Sequence, residues 1–435
     1  MFRLTLLWHR LRAQMWWRPT LWSVFAVFAA LIAAVANYYV PDSAVPDIER
    51  STLQGLLTII ASSMLAVSTF SLSILVGAFT SASTSATPRA TRLVMADDRA
   101  QSAIASFIAA FIYAIIALCA LGVGYYGPAG RFVLLAGTIC VLIYIIVSLL
   151  RWIQTLSSIG RLSTTIATVE AAAVTSLQAY RRDPLLGAMP APAQTVHGVP
   201  LHLSQTGYLQ HLDMGRLNEA AKKAKATLHI VVRPGAMLHP ARVVAVWSQP
   251  PALSVDEQRK LEAAFVIGAE RSFEQDPRFG VIVMAEIGQR ALSAAVNDPG
   301  TAIGVISALA RILIDTAVAP EDEASAKPGR FTHLTLVELD EADLIRDTFD
   351  PLSRDGASLI EIGVRTQKAL GAVSLGTKGR LAEAARRQAW RSYERSKVAL
   401  TFEEDRLVLE ALAREAAGDA ASVTTTSAAE LNTQR

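Results

Sequence analysis

The sequence predicts an integral membrane protein with four transmembrane α-helices, followed by a cytoplasmic α+β domain that contains a small β-rich, barrel-sandwich-like module. The first observation is composition: 52% of the 435 residues are hydrophobic and only 18% are charged, whereas soluble domains have about 25% charged residues. The second is charge distribution: the residues up to Arg151 carry five more basic than acidic side chains, and the remainder carries two more acidic than basic. These observations exclude a simple soluble enzyme and a disordered chain, and they argue against a nucleic-acid partner.

Four uncharged apolar runs occupy the first third of the chain, at residues 21–40, 53–79, 103–124 and 132–150. A helix needs about 20 apolar residues to cross the hydrocarbon core of a bilayer, so each run is long enough. Aromatic residues flank the runs, as expected at the level of the lipid headgroups. We therefore predict a transmembrane domain over residues 1–155.

Basic residues predict the orientation of these spans, because cytoplasmic loops of membrane proteins are rich in Lys and Arg. Four arginines precede the first run and the loop after it is acidic, which predicts a cytoplasmic N-terminus. Arginines also follow the second and fourth runs, so the long C-terminal part is expected in the cytoplasm; Arg131 is the exception. A cleaved signal peptide ending near Ala34-Val35-Ala36 is an alternative for the first run, and it would leave the remaining topology unchanged.

The second run differs from the others in its hydroxyl content. At about 100° per residue, one face of the predicted helix carries the candidate pore-lining residues, which are Thr58, Ser62, Leu65, Thr69, Ser73, Val76, Thr80 and Thr84. One interpretation is helix packing, because small and hydroxyl residues let transmembrane helices approach closely. The other is a water-filled path in a homo-oligomer, with Leu65 or Val76 as a constriction that closes by dewetting. The runs contain no acidic or basic residue, which argues against a proton-driven pump.

Pro88 should end or kink this second helix. Three arginines then surround the cytoplasmic mouth of the predicted path, namely Arg89, Arg92 and Arg99. The positive-inside rule alone explains them. Alternatively, they form an electrostatic vestibule that concentrates small anions.

After the predicted spans, we expect a connecting helix followed by a Pro-rich linker over residues 156–200. We expect the β-rich module over residues 201–250. Its order of strand, Arg-Pro-Gly-Ala-Met-Leu and strand resembles barrel-sandwich modules of the biotinyl and lipoyl type. No lysine stands at a hairpin tip, so we expect no attached cofactor. We expect an α/β core over residues 251–375 and C-terminal helices over residues 376–417. The tail, residues 418–435, is expected to be disordered.

The most distinctive segment of the sequence is FVIGAERSFEQDPRFGVIVMAEIGQRALSAAVNDPGTAIGVI at residues 265–306. Together with STSATPRATRLVMADDRAQSAIASFIAAFIYAII and TGYLQHLD…VVRPGAML, it resembles the predicted bacterial inner-membrane proteins grouped as domain of unknown function 2254. The resemblance covers most of residues 20–375, and its most specific part is RALSxxxNDPxTA at residues 290–302, where Ala294 replaces the family's usual proline. It implies a multi-span inner-membrane protein with a cytoplasmic domain, and it supplies no activity.

Asn297-Asp298-Pro299 has a structural and a functional interpretation. Asp298 is a favourable N-cap and Pro299 a favourable first residue for a following helix. The functional alternative is a polar loop at a helix N-terminus that binds an anion or a small ligand. The candidate residues of that site are Arg271, Asp276, Arg290, Ser293, Asn297, Asp298 and Thr301. Arg271 and Asp276 could equally form a structural ion pair.

Signals for catalysis or metal binding are weak. The histidines lack metal-ligand spacing, and neither a nucleophile elbow nor a complete phosphate loop occurs. We therefore expect no metal, no cofactor and no enzymatic activity. The leading hypothesis is a homo-oligomeric ion channel lined by the second span. The alternative is a non-conducting membrane-anchored sensor or scaffold that binds a ligand or partner through its cytoplasmic domain, and an enzyme acting near the membrane ranks third.

Overall fold

The fold is known from a computed structural model, which describes residues 17–32, 45–46, 48–95, 98–156, 161–192, 197–317 and 329–418. The chain forms two compact units, Met1–Thr165 and Ile166–Arg435. We call them the N-terminal unit and the C-terminal unit. The predicted disordered tail, residues 418–435, lies outside the described residues except for Gly418.

The described part of the N-terminal unit consists mainly of α-helices. Its helices are α1 (Trp17–Ile32), α2 (Arg50–Ser85), α3 (Pro88–Met95), α4 (Asp98–Gly122) and α5 (Pro128–Leu156). Three segments are long and apolar enough to cross a membrane, namely Arg50–Ser81, Gln101–Gly122 and Pro128–Leu156. The first predicted span, residues 21–40, is described only as far as Ile32, so the count of four spans stays a prediction.

α4 lies at the centre of the N-terminal unit, where it packs against α1, α2 and α5. Its buried face is rich in alanine, including the fully buried Ala105, Ala114 and Ala117. Small residues let neighbouring helices approach closely, which is the main source of helix association in a bilayer. The hydroxyl groups of Tyr113 on α4 and Thr138 on α5 lie 3.2 Å apart and hydrogen bond. α4 therefore connects α1, α2 and α5 within the unit.

The break after α2 occurs where Pro88 predicts it. α2 ends at Ser85 and α3 begins at Pro88, because proline lacks an N–H and suits the first turn of a helix. Thr87 precedes α3, and its hydroxyl oxygen accepts a hydrogen bond from the backbone N–H of Ala90 at 3.2 Å. The long helix is therefore ended by a proline and a side-chain cap.

The connecting helix α6 (Leu162–Arg182) leads into the C-terminal unit, whose described strands form two sheets. The strands are β1 (Ala188–Pro190), β2 (Val199–His202), β3 (Gly207–Leu212), β4 (Leu228–Ile230), β5 (Met237–Leu238), β6 (Val243–Trp247), β7 (Phe265–Gly268) and β8 (Phe331–Leu336). The five-stranded sheet has the order β1-β8-β4-β6-β2, and the three-stranded sheet has the order β5-β3-β7. β8 is parallel to both of its neighbours, and the other pairs are antiparallel.

Helices surround and follow these sheets. They are α7 (Met214–Lys223), α8 (Val255–Glu262), α9 (Phe279–Leu292), α10 (Pro299–Asp315), α11 (Glu341–Asp355), α12 (Ile360–Gly376), α13 (Gly379–Ala399) and α14 (Glu403–Ala417). α9 packs against α10 and α11, and α13 packs against α11, α12 and α14. The last six helices therefore pack against one another as one group.

Two expectations about this unit differ from the structure. The expected linker, residues 183–200, contains β1, which pairs with β8 from far along the chain. The expected β-rich module, residues 201–250, shares its sheets with segments outside that range, because β1 and β8 belong to one sheet and β7 belongs to the other. Strand edges need hydrogen-bond partners, and here distant segments supply them.

Two glycines, one in α9 and one in α10, allow a test of how closely α9 packs against α6. An alanine Cβ at Gly280 in α9 would lie 2.5 Å from the Cα of Ala173 in α6, whereas nothing lies within 4 Å of a Cβ at Gly304 in α10. We expect Gly280→Ala to destabilise the chain by about 1–3 kcal/mol through overpacking. Gly304→Ala should stabilise it by about 0.5–1 kcal/mol through helix propensity. Thermal unfolding of the full chain in detergent measures both, and equal shifts in the two variants would contradict the close contact of α6 and α9.

Candidate functional site

The hydroxyl face of α2, defined as Thr58, Ser62, Thr69, Ser73 and Thr80 with Leu65 and Val76, is exposed. The side chains of Leu65 and Val76 are 52% and 56% exposed. The side chain of Thr84 lies outside the described residues. The face is therefore available to lipid, to water or to another copy of the chain.

The opposite side of α2 contacts the rest of the N-terminal unit. Leu53, Leu57, Met64 and Leu75 are buried there, within one apolar cluster that includes Phe107 of α4. Helix packing within the chain thus uses the apolar side of α2. Among the described residues, no helix of the same chain covers the hydroxyl face.

Each hydroxyl of the exposed face donates a hydrogen bond to the carbonyl oxygen four residues earlier. The distance is 2.7 Å for Thr58, 2.9 Å for Ser62, and 3.0 Å for each of Thr69, Ser73 and Thr80. These bonds satisfy the O–H donors without water. A hydroxyl oxygen has two acceptor lone pairs, which stay on the outer surface of the helix.

The basic residues predicted at the mouth are described only in part. Arg89 lies in the first turn of α3 and is exposed. The side chains of Arg92 and Arg99 lie outside the described residues. Their common placement around a mouth therefore stays a prediction.

The expected ion pair in the C-terminal unit is formed. Arg271 donates from Nε to Asp276 Oδ2 at 2.7 Å and from Nη2 to Asp276 Oδ1 at 2.9 Å. Burial raises the pKa of the Asp276 carboxyl, and the hydrogen bonds from Arg271 oppose that shift. Gly235 of the Arg-Pro-Gly turn has φ +94°, and a Cβ there would collide with the Asp276 carboxylate. The turn can close over the ion pair because residue 235 is glycine.

Arg278 is a structural residue that sequence reasoning missed. Its guanidinium pairs with Asp343 at 2.8 Å and with Asp347 at 2.6 Å, and its backbone N–H donates to Asp276 Oδ1 at 3.1 Å. It therefore links the start of α9 to α11. The sequence did show Asp343 and Asp347 four residues apart, which places both carboxylates on one face of a helix. Nothing in the neighbouring sequence indicated that Arg278 pairs with them.

Asp298 caps α10 as predicted. The backbone N–H of Thr301 donates to Asp298 Oδ1 at 3.0 Å, and the Thr301 hydroxyl donates to Oδ2 at 2.5 Å. These bonds lower the pKa of Asp298. Asn297 has φ 49°, and its N–H donates to the carbonyl of Ser293 at 2.8 Å. The motif is thus a closed turn between α9 and α10.

The structure separates the residues that were expected to form one ligand site. Arg271 and Asp276 precede the start of α9, whereas Ser293, Asn297 and Asp298 follow its end. A helix of 14 residues is about 21 Å long. The Nε of Arg290, near the end of α9, is buried without a hydrogen-bond partner among the described residues. One small ligand cannot contact both groups.

The capping role of Asp298 is testable with two variants. Asp298→Ala should cost about 0.5–2 kcal/mol of stability, whereas Asp298→Asn should cost little because both residues cap helices well. Since its pKa is lowered, the carboxylate stabilises the fold at neutral pH, and this contribution is lost as the pH falls through the folded-state pKa. Thermal unfolding at pH 7 and at pH 3 measures these effects. Equal losses in both variants at pH 7 would show that the negative charge, rather than the cap, matters.

The comparisons with known proteins agree with the membrane assignment. The family described as "Predicted membrane protein (DUF2254)" matches residues 12–372. Three mycobacterial proteins, one from Mycobacterium bovis and two from strains of Mycobacterium tuberculosis, are each described as an uncharacterized protein and are 33% identical over 145 residues. The match covers 32% of this chain and 28% of each relative, so the chain spans well under two thirds of their length. No solved structure matches the chain.

Proposed function

The chain belongs to the family of predicted membrane proteins DUF2254, and from that premise we propose that copies of it assemble into an ion channel lined by the hydroxyl face of α2. One observation carries the proposal: this face, with its row of hydroxyl oxygens, is exposed, while the apolar side of α2 holds the subunit together. Hydroxyl oxygens that have already donated to the backbone can still accept hydrogen bonds from water.

Dry packing between copies explains the same face less well. Closely packed interfaces between transmembrane helices are enriched in small residues. Leu65 and Val76 are larger residues, and they lie on the hydroxyl face with side chains that are 52% and 56% exposed. Around a symmetry axis, such side chains form apolar rings that narrow a pore and close it by dewetting.

The length of α2 favours Leu65 as the constriction. Its 36 residues span about 54 Å, compared with about 30 Å for the hydrocarbon core. If Arg50 lies at one membrane surface, Leu65 and Thr69 lie within the core. Val76 and Thr80 then lie at or beyond the opposite surface. The narrowest apolar ring is therefore proposed at Leu65.

The rest of the proposal concerns orientation and partners. We place both termini and the C-terminal unit in the cytoplasm of a bacterium, with the helices in its inner membrane, because arginines follow α2 and α5. The C-terminal unit would assemble or gate the copies. Arg89, Arg92 and Arg99 would give the mouth a mild preference for anions. The proposal assigns the chain no reaction, no cofactor and no nucleic-acid partner.

Ion flux into liposomes carrying the purified full chain tests the proposal. We expect protein-dependent flux that falls at least tenfold in Thr69→Leu and in Ser73→Leu, because each replaces a hydroxyl on the water path with a bulky apolar group. Ser63→Leu is the matched control, since Ser63 is an exposed hydroxyl residue of α2 outside that face. Replacing chloride with gluconate then measures the anion preference.

Two outcomes would contradict the proposal. Absence of flux in the wild type at any voltage or pH would contradict the channel, and it would favour the alternative function, a non-conducting membrane-anchored sensor or scaffold. An equal loss of flux in Ser63→Leu would contradict the lining of the channel by the hydroxyl face.

A further inference from the structure

A cleft of about 370 Å³ lies between α9, α11 and α13 in the C-terminal unit. This volume is in the range of small-molecule sites, about 300–1,000 Å³. Its apolar lining comes from Ile282 and Ala285 of α9 and from Pro351 of α11. Pro351 is an internal proline of α11, and it leaves one backbone carbonyl of the helix without its usual N–H donor. The cleft is separate from the ion pair of Asp276 and from the Asp298 turn.

The two aspartates of the cleft are engaged by other side chains and largely covered. Asp350 accepts a hydrogen bond from Gln388 at 2.7 Å and pairs with Arg391 at 3.2 Å and Arg395 at 3.5 Å. Asp347 pairs with Arg278 at 2.6 Å. Their side chains are only 21% and 20% exposed. These two carboxylates therefore contribute little negative charge to the accessible surface. A third carboxylate of the lining, Glu286 of α9, is partly exposed, and the two arginines at the rim outnumber it.

The arginines at the rim of the cleft have the opposite exposure. The side chains of Arg346 and Arg354 are 53% and 62% exposed. Arg346 pairs with Asp343 of its own helix, and Arg354 donates two hydrogen bonds to Asp355, at 2.7 and 3.2 Å. A guanidinium has five N–H donors, so each keeps donors that these bonds do not use. Exposed ion pairs of this kind contribute little to stability, so an incoming anion can compete with them.

We propose that this cleft binds a phosphorylated metabolite whose phosphate groups are separated by an organic body. Arg346 and Arg354 are eight residues apart on α11, which places their Cα atoms about 12 Å apart. Guanidinium groups match phosphate oxygens in a bidentate geometry. The apolar side chains between them receive the organic body. Gln289, whose amide donates to Asp355 at 2.7 Å, lines the same cleft. Binding requires no ion conduction, so the proposal is independent of the channel.

Isothermal titration of the full chain in detergent tests the site, with fructose 1,6-bisphosphate, ATP and pyrophosphate as probes at constant ionic strength. We expect saturable binding of fructose 1,6-bisphosphate, and weaker binding of ATP and pyrophosphate because their phosphates are adjacent. Arg346→Gln and Arg354→Gln should each weaken binding at least tenfold. Both side chains are more than half exposed, so the variants should keep the wild-type unfolding temperature, which is measured in parallel.

Arg414→Gln is the matched control. Arg414 is an exposed arginine on α14 that pairs with Glu410 of its own helix, and it lies outside the cleft. Its substitution should leave binding unchanged. Absence of saturable binding for all three probes would overturn the proposal. Unchanged binding in Arg346→Gln and Arg354→Gln, or an equal loss in Arg414→Gln, would also overturn it.

Discussion

Leu53, Leu57 and Met64 lie along one side of α2 and are buried in the same cluster as residues of α4. This packing decides which residues of α2 stay outside. Because α4 presents mainly alanine, the two helices approach closely, and the side of α2 that carries Leu53, Leu57 and Met64 is buried within the subunit. The hydroxyl face is then directed outward, and the function that we propose for the N-terminal unit depends on that outcome.

Charged groups hold the C-terminal unit together in a comparable way. Arg278 ties the start of α9 to two carboxylates of α11, and Asp276 receives both Arg271 and the backbone N–H of Arg278. Removing one member of such a buried pair is costly because its partner keeps an uncompensated charge. The same network brings α9 and α11 side by side, and it thereby defines two walls of the charged cleft.

Periodic and local patterns predicted much of this structure. Apolar runs located the three helices that could span a membrane, Pro88 marked the end of α2, and Asp298-Pro299 marked the start of α10. Contacts between distant segments were not predictable in the same way. β1 appeared to be linker because its parallel partner β8 lies about 140 residues later. The candidate ligand residues do not form one site, although they are close in sequence. They lie at the two ends of α9, a helix of 14 residues, which holds them apart.

The most direct test of the central claim is whether water reaches the hydroxyl face of α2 within the membrane. Thr69→Cys and Phe70→Cys would be compared after Cys119 and Cys140, which are both exposed, are changed to alanine. Phe70 is 64% exposed but lies outside the hydroxyl face. A charged, water-soluble methanethiosulfonate reagent should modify Cys at position 69 and leave Cys at position 70 unmodified, because the reaction needs a hydrated thiolate. Equal protection of both positions in intact membranes would contradict a water-filled path along α2.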